Sequence, residues 1–375
     1  MSAIGRIRLI ALRAPCPQPV ATAFGAMDSR PALFVRIEDQ DGVAGWGEIW
    51  CNFPRHGLES RFLLATDHLA GWYLGQVPDA PAIVTAAAFE AVRRLAIQTG
   101  EQGAFANVIA GFDCALWDLL ARRTGVPLAR LLGGELRPLP AYASGIDPDD
   151  PPAQMEAARA LGYRIFKLKL GFAGDERNLR AASAFLADGE VLLADANQAW
   201  EVEEARRLLP ALAAYDLGWI EEPVPADLPP SVFGELAAIS PVPLAGGENL
   251  SSVAAFEETI AAHGFAVLQP DVAKWGGISF CREVAAKAMA AGLRYCPHSL
   301  GGGIGLLHSA HLLAAMEGDG WLEVDINPNP LREELLPFSG CGAAGSVALG
   351  DGPGIGIDPD PGLLAAYRVM ETEIV

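Results

Sequence analysis

The sequence has 375 residues, 51% of them apolar, with 46 acidic against 27 basic side chains and a formal net charge of −19. That length predicts one large domain with a smaller one rather than a single core. The negative charge argues against nucleic acid or an anionic membrane surface as a partner, and its spread along the chain reads as a solvated acidic surface.

Arg6, Arg8 and Arg13 interrupt the apolar residues of the N-terminus, a strand pattern rather than a leader peptide. No run of about 18 apolar residues is uninterrupted, so no membrane span is predicted. The six cysteines form no C-x-x-C pair, which predicts free thiols in a reducing cytoplasm. Residues 4–14, 31–39 and 43–50 read as a three-stranded meander with Asp41-Gly42 in the second turn. Residues 57–73, 80–98 and 104–123 carry helical periodicity, so residues 1–125 are predicted to form an α+β domain.

From about residue 138 strands and helices alternate strictly. The strands are predicted at 140–144, 165–170, 191–196, 218–222, 243–247, 266–271, 294–298 and 321–325, with helices such as 202–215 and 279–292 between them. Eight such units close a TIM-type (β/α) barrel, placed at residues 126–349. The glycine-rich segment from Leu349 to Gly356 leaves the barrel, and the tail over about 350–375 is predicted to complete the first domain.

Polar residues collect at the ends of these strands. Asp195, Glu221 and Glu248 recur at intervals of 26 and 27 residues, the length of one βα unit. Carboxylates at the same place in three successive units converge at the barrel mouth, and three hard oxygen ligands suit Mg²⁺. Lys167 and Lys169 alternate along one strand, so both point to the barrel interior. Asn197 shares a face with Asp195, and Asp271, His298 and Glu323 end strands six, seven and eight. Each has an ordinary explanation alone: an edge lysine, an N-cap aspartate, a satisfied core histidine. Seven successive strands ending in an ionisable group do not, because burying that many charges without metal or pairing is too costly. His308 and His311 are assigned to structure, Glu222 to support or capping, and Lys274 to no catalytic role. The loop Ser299–Gly305 lacks a Gly-Lys-Ser/Thr sequence and is assigned to close backbone approach beside His298.

With these residues in order, the chain resembles the mandelate racemase and muconate lactonising branch of the enolase superfamily. The resemblance rests on Gly42-Val-Ala-Gly-Trp-Gly-Glu48, Ala115-Leu-Trp-Asp118, Lys167-x-Lys169, Asp195-x-Asn197, Trp219-Ile-Glu-Glu-Pro223, Gly247-Glu248, Asp271 and His298. The lactonising and dipeptide-epimerising types carry a lysine where Asp271 stands, so Asp271 with His298 resembles the mandelate racemase subgroup. The resemblance implies Mg²⁺ held by Asp195, Glu221 and Glu248, which stabilises the enediolate formed when a carboxylate substrate loses its α-proton. It implies Lys169 as one base, its pKa drawn toward neutrality by Lys167, and His298 as the other, oriented by Asp271. Glu323 is expected to donate as a neutral acid, and Asn197, Ser144, Arg55 and His56 to contact substrate. The expected activity is dehydration of an acid sugar or racemisation of a 2-hydroxy acid. The alternative is a lactonising enzyme or an N-acylamino acid or dipeptide epimerase, and a non-catalytic barrel comes last. The capping loop Ala14–Asp28, small and apolar, is expected to close over the substrate. A homo-oligomer, dimer or octamer, is also implied.

Overall fold

The computed structural model describes residues 2–22, 24–342 and 345–375. Strands β1 (Ile4–Thr22) and β2 (Gly25–Asp39) form one long antiparallel hairpin, with β3 (Ala44–Ile49) along β2. The last strand, β13 (Arg368–Ile374), pairs antiparallel with β1 and completes a four-stranded sheet. The strands run further than their sequence pattern suggests. Residues 14–28, expected as a loop, are paired up to Thr22 and Gly25, with a register shift between Pro15 and Val20. Pro15, Pro17 and Pro19 lack N–H donors and blur the alternation, so the segment reads as a loop although the ladder resumes beyond them.

Helix Gln102–Thr124 lies across this sheet. It is long and apolar enough to cross a membrane, yet 83% of its most apolar window is buried inside the fold, which makes it a core helix. Glycine permits the close approach. A Cβ on Gly47 would lie 2.0 Å from the Gly111 carbonyl oxygen, and one on Gly45 would lie 2.3 Å from that of Ala115. Gly47→Ala should therefore force sheet and helix apart and cost roughly 1–3 kcal/mol, as other overpacked cores do. An unchanged urea midpoint would show that the contact can relax.

Eight parallel strands follow in chain order: β4 (Leu139–Ile146), β5 (Ile165–Lys169), β6 (Val191–Asp195), β7 (Ile220–Glu221), β8 (Leu244–Gly246), β9 (Val267–Leu268), β10 (Arg294–Tyr295) and β11 (Leu322–Asp325). β11 pairs back onto β4, and Trp321 N donates to Cys296 Sγ at 3.3 Å beside the remaining seam. Short β12 (Ser346–Val347) runs antiparallel to β4. All eight predicted barrel strands are present, and the fold is an enolase-like barrel with a separate antiparallel domain.

The barrel interior is filled at one level by Tyr142, Leu193, Trp219, Ala245, Val267 and Cys296. Trp219 stacks on Trp321 with centroids 5.3 Å apart and meets Tyr142 edge-on at 5.5 Å. This apolar floor excludes water from below, so every charged group above it must find a partner among the others. All six cysteines are free thiols, four of them buried.

Candidate active site

Strand register sets the site. Lys169 pairs with Asp195, and Asp195 with Glu221, so three charged residues stand at one level on β5, β6 and β7. One residue pair lower on β5, Lys167 is 1% exposed and lies over the Tyr142 ring at 5.4 Å. Its Nζ donates to both Glu221 carboxylate oxygens at 2.8 Å and meets Glu323 at 2.7 Å. Burial works against its charge, but Glu221 and Glu323 overcome that and hold the ammonium well above its ordinary range. Burial lifts Glu221 to about 7 even with Lys167 opposite. Gln269 Nε2 donates to the same carboxylate at 2.8 Å.

Lys169 Nζ donates to Asp195 Oδ2 and Asn197 Oδ1, both at 2.7 Å. Burial lowers its pKa, Asp195 raises it, and the balance is upward, opposite to the expected shift toward neutrality. The repulsion from Lys167 is present but is outweighed by the carboxylate in contact. A base at this position requires Asp195 to be engaged elsewhere.

His298 is held at both ring nitrogens. Nδ1 lies 2.7 Å from Asp271 Oδ2 and Nε2 lies 2.6 Å from Glu248 Oε2. Burial disfavours the imidazolium, but Glu248 and Glu323 raise its pKa well above the usual value. Glu248 is held well below its range against the cost of burial, chiefly by His298 and Lys274. Glu323 takes the Lys167 ammonium, the Ser144 hydroxyl at 2.5 Å and Ser299 N at 3.3 Å. Its burial is outweighed by Lys167 and His298, so its pKa is lowered and the carboxylate form is favoured here, not the neutral donor expected.

Part of this network lines a cavity of about 300 Å³ at the C-terminal ends of the strands, while Lys167, Asp195, Glu221 and Asp271 stand outside its lining. Ser144, Lys169, Asn197, Glu248, His298 and Glu323 form its polar wall. The tip of the β1–β2 hairpin contributes Val20, Thr22, Phe24 and Met27 on the apolar side, with Trp50 and Phe53. Phe24 and Phe53 meet edge-on with centroids 5.4 Å apart. Arg55 and His56 do not reach this cavity. Their side chains are 80% and 83% exposed, Arg55 beside Asp28 and His56 beside Glu59. Expected to contact substrate, they stand outside the cavity, and the neighbouring Phe53 lines its apolar roof instead.

Three further residues join the site: Lys274, given no catalytic role by sequence, Gln198, not singled out, and Glu222, assigned to support or capping. Lys274 lines the cavity, donates to Asn249 Oδ1 at 2.6 Å and lies 5.0 Å from the Trp50 ring. Gln198, at a positive φ of 65°, also lines it. Glu222 is buried at φ 38°, accepts from Asn249 Nδ2 at 2.8 and 2.9 Å, and is pushed up to about 8 by burial and by Glu248. His308 and His311 are fully buried away from this cavity, with His308 between the Ile304 and Cys114 carbonyls and His311 accepting from Ala129 N.

The charge count bears on a metal. Asp195, Glu221, Glu222, Glu248, Asp271 and Glu323 are buried carboxylates, against Lys167, Lys169, Lys274 and His298. These six carboxylates outnumber the four basic groups and offer the oxygen ligands that a divalent cation takes. As they stand, Asp195, Glu221 and Glu248 each face a lysine or histidine, and among the described residues no three metal-ligating side chains enclose a common point. The donor set fits a divalent cation, and receiving one means exchanging those ion pairs.

Residues 6–133 match the mandelate racemase/muconate lactonizing enzyme N-terminal domain, and residues 152–363 match the enolase C-terminal domain-like family. The chain belongs to the mandelate racemase/muconate lactonizing enzyme family of the enolase superfamily. It is 31% identical to D-galactarolactone cycloisomerase of Agrobacterium fabrum over 94% of this chain and 95% of that one. It is 32% identical to D-galactonate dehydratase of Ralstonia nicotianae over 75% of this chain and 74% of that one. A family member from Bordetella bronchiseptica RB50 superposes with a TM-score of 0.91 at 46% identity, covering 97% and 99% of the two chains. A racemase from Streptomyces coelicolor A3(2), solved with bound magnesium, gives 0.88 at 30% identity, covering 98% and 100%. Among its relatives the family thus includes dehydratases, cycloisomerases and racemases, and this chain carries the enzyme fold shared by all three.

Proposed function

We propose that this member of the family is a Mg²⁺-dependent enzyme that removes the α-proton of an acid-sugar carboxylate and expels its β-hydroxyl, giving a 2-keto acid. The observation that carries the reading is the convergence of Lys169 and the Asp271–His298 pair on one cavity whose polar wall also holds Glu248. Asp195, Glu221 and Glu248 would hold the cation, which supplies a Lewis acid for the substrate carboxylate and for the charge that develops on proton loss. Once Asp195 no longer stabilises its ammonium, Lys169 gives a proton to solvent, and the neutral amine takes the C2 proton. His298, its Nδ1 fixed by Asp271, presents Nε2 to the cavity once Glu248 no longer takes it; as the imidazolium it gives a proton to the departing 3-hydroxyl, and as the neutral ring it is the base for the opposite C2 epimer. The enol product then tautomerises to the keto acid. Ser144 and Asn197 steady Glu323 and Lys169 through the hydrogen bonds described above.

The D-galactarolactone cycloisomerase relative favours a second reading, in which the β-oxygen lost belongs to a ring and no water leaves. Both begin with the same proton transfer. Incubation in D₂O with Mg²⁺ and a pool of acid sugars, their lactones, 2-hydroxy acids, N-acylamino acids and dipeptides separates them by mass spectrometry. A 2-keto acid carrying one deuterium at C3, about 17 mass units lighter than the substrate once exchangeable deuterium is washed out, supports dehydration; a product isomeric with a lactone apart from one carbon-bound deuterium supports the second reading, and deuterium at C2 of recovered substrate alone supports racemisation. Label confined to N-acylamino acids or dipeptides would overturn both. EDTA should abolish exchange and Mg²⁺ restore it. Mg²⁺ alone should stabilise the fold by about 2.7 kcal/mol at a hundredfold excess over its Kd, and a thermal midpoint indifferent to Mg²⁺ would count against the metal site.

A further inference from the structure

The Trp46-Gly-Glu48 sequence at the end of β3 takes no part in the chemistry above, yet its glutamate is buried at the foot of the loop that carries His298. Glu48 is 3% exposed and belongs to the first domain. Its Oε1 accepts from Gly302 N at 2.5 Å and its Oε2 from Gly305 N at 2.8 Å. The glycines of this loop make room for the carboxylate: a Cβ on Gly301 would come within 2.7 Å of Oε1, and one on Gly302 within 3.0 Å of both oxygens. The rest of the loop is held group by group. Ser299 N is taken by Glu323, the Leu300 carbonyl by Asn52 Nδ2 at 2.7 Å, and the Gly301 carbonyl by Asn329 Nδ2 at 2.9 Å.

The partner of His298 is supported from the same side. Asp271 opens a turn whose Val272, Ala273 and Lys274 carbonyls receive Cys114 Sγ, Trp50 N and Asn107 Nδ2. All three donors belong to the first domain. Lys169 differs, since its position is set by the β4–β5–β6 ladder and by Asp195 and Asn197 within the barrel.

We propose that Glu48 is a positioning residue for His298, so that the first domain sets the histidine side of the site while the barrel alone sets the lysine side. This rests on the two-base reading above. Two buried N–H groups on one carboxylate are strong, charge-assisted contacts, and burial lifts the Glu48 carboxyl to about 7 against them. A carboxylate retained there at such cost is better explained by the loop it fixes than by stability.

The test uses Glu48→Gln, Glu48→Ala and Asn52→Ala in the full-length protein with Mg²⁺. The first readout is amide hydrogen exchange over residues 299–305, which needs no substrate. Glu48→Ala should speed exchange there at least about tenfold while the amides of β4 to β6 stay within twofold of wild type. The second is C2 exchange in D₂O for both C2 epimers of each acid sugar that wild type labels, with His298→Asn and Lys169→Ala as references for the two faces. Glu48→Ala should slow the epimer assigned to His298 about tenfold more than the one assigned to Lys169, and Glu48→Gln, which keeps one acceptor oxygen, should fall between. Unchanged exchange over 299–305, or equal slowing on both faces, overturns the proposal. If wild type labels no C2 position, the two-base reading has failed, and the amide exchange still decides whether Glu48 holds the loop.

Discussion

Lys169→Ala and His298→Asn should each lower turnover by about 10²–10⁴-fold, the range expected for loss of a positioned acid or base, and should do so in opposite ways. The two side chains enter the cavity from different strands and have separate partners, Asp195 and Asn197 for one, Asp271 and Glu248 for the other. Lys169→Ala should lose C2 exchange for one epimer of a substrate pair and keep it for the other, with His298→Asn reversed. The outcome is read as deuterium incorporation at short times in D₂O. If either variant turned over within tenfold of wild type, its residue would not be moving a proton in the slow step. If both lost exchange from both faces, the two groups would serve one proton rather than two.

The second large effect concerns stability. Lys167→Met should destabilise the fold by about 3–5 kcal/mol, the usual consequence of removing one partner from a buried ion pair. Lys167 is 1% exposed and faces Glu221 at 2.8 Å, Glu323 at 2.7 Å and Asp195 at 3.7 Å above an apolar floor, and the comparison is made without Mg²⁺ so that no cation takes its place. Methionine fills the volume but neutralises nothing. The loss should grow with pH. Glu221 already binds its proton up to about 7 in the folded chain, against an ordinary value of 4.5, and losing the lysine moves it further upward. Between those values the native state holds more protons than the unfolded state, so stability falls as pH rises. Urea midpoints at pH 5.5 and pH 8 should therefore diverge more for Lys167→Met than for wild type. A deficit of the same size at both pH values would mean that the carboxylates find other partners.

Charged residues set in short apolar runs made the barrel and its polar wall readable before any coordinates. A lysine two places from another on a Leu-rich strand, or a glutamate closing Trp219-Ile220, has few places to go except inward, and the constant spacing supplied the register. Lys274 was not readable in the same way. It follows Asp271 by three residues in a turn and reaches the cavity through its long side chain, a distance that strand alternation does not encode. Arg55 and His56 erred in the other direction: chain position puts them beside the roof, but nothing local says that Phe53 turns in while they turn out. The hairpin tip was obscured by Pro15, Pro17 and Pro19, whose missing donors hide a ladder that resumes at Val20. Sequence also showed which charges would gather but not how they would pair. That Lys169 meets Asp195, His298 meets Glu248 and Glu323 meets Lys167 follows from side-chain reach once the strands are in register.

The pairing of β13 with β1 joins residues about 360 positions apart, with Ile7 opposite Ile374. The whole barrel is thus spliced into the first domain ahead of its last strand. On the ribosome, β1, β2 and β3 emerge first, and β1 must wait through synthesis of the entire barrel with one hydrogen-bonding edge open. An exposed edge of that length invites pairing with a neighbouring chain. The alternation of Arg6 and Arg8 with Ile7 and Leu9 along β1 puts charge on that edge, and Glu371 and Glu373 of β13 meet those arginines only when the chain is nearly finished. The same arginines that later anchor the sheet can therefore act as its guard during birth, keeping nascent copies apart until the proper strand arrives.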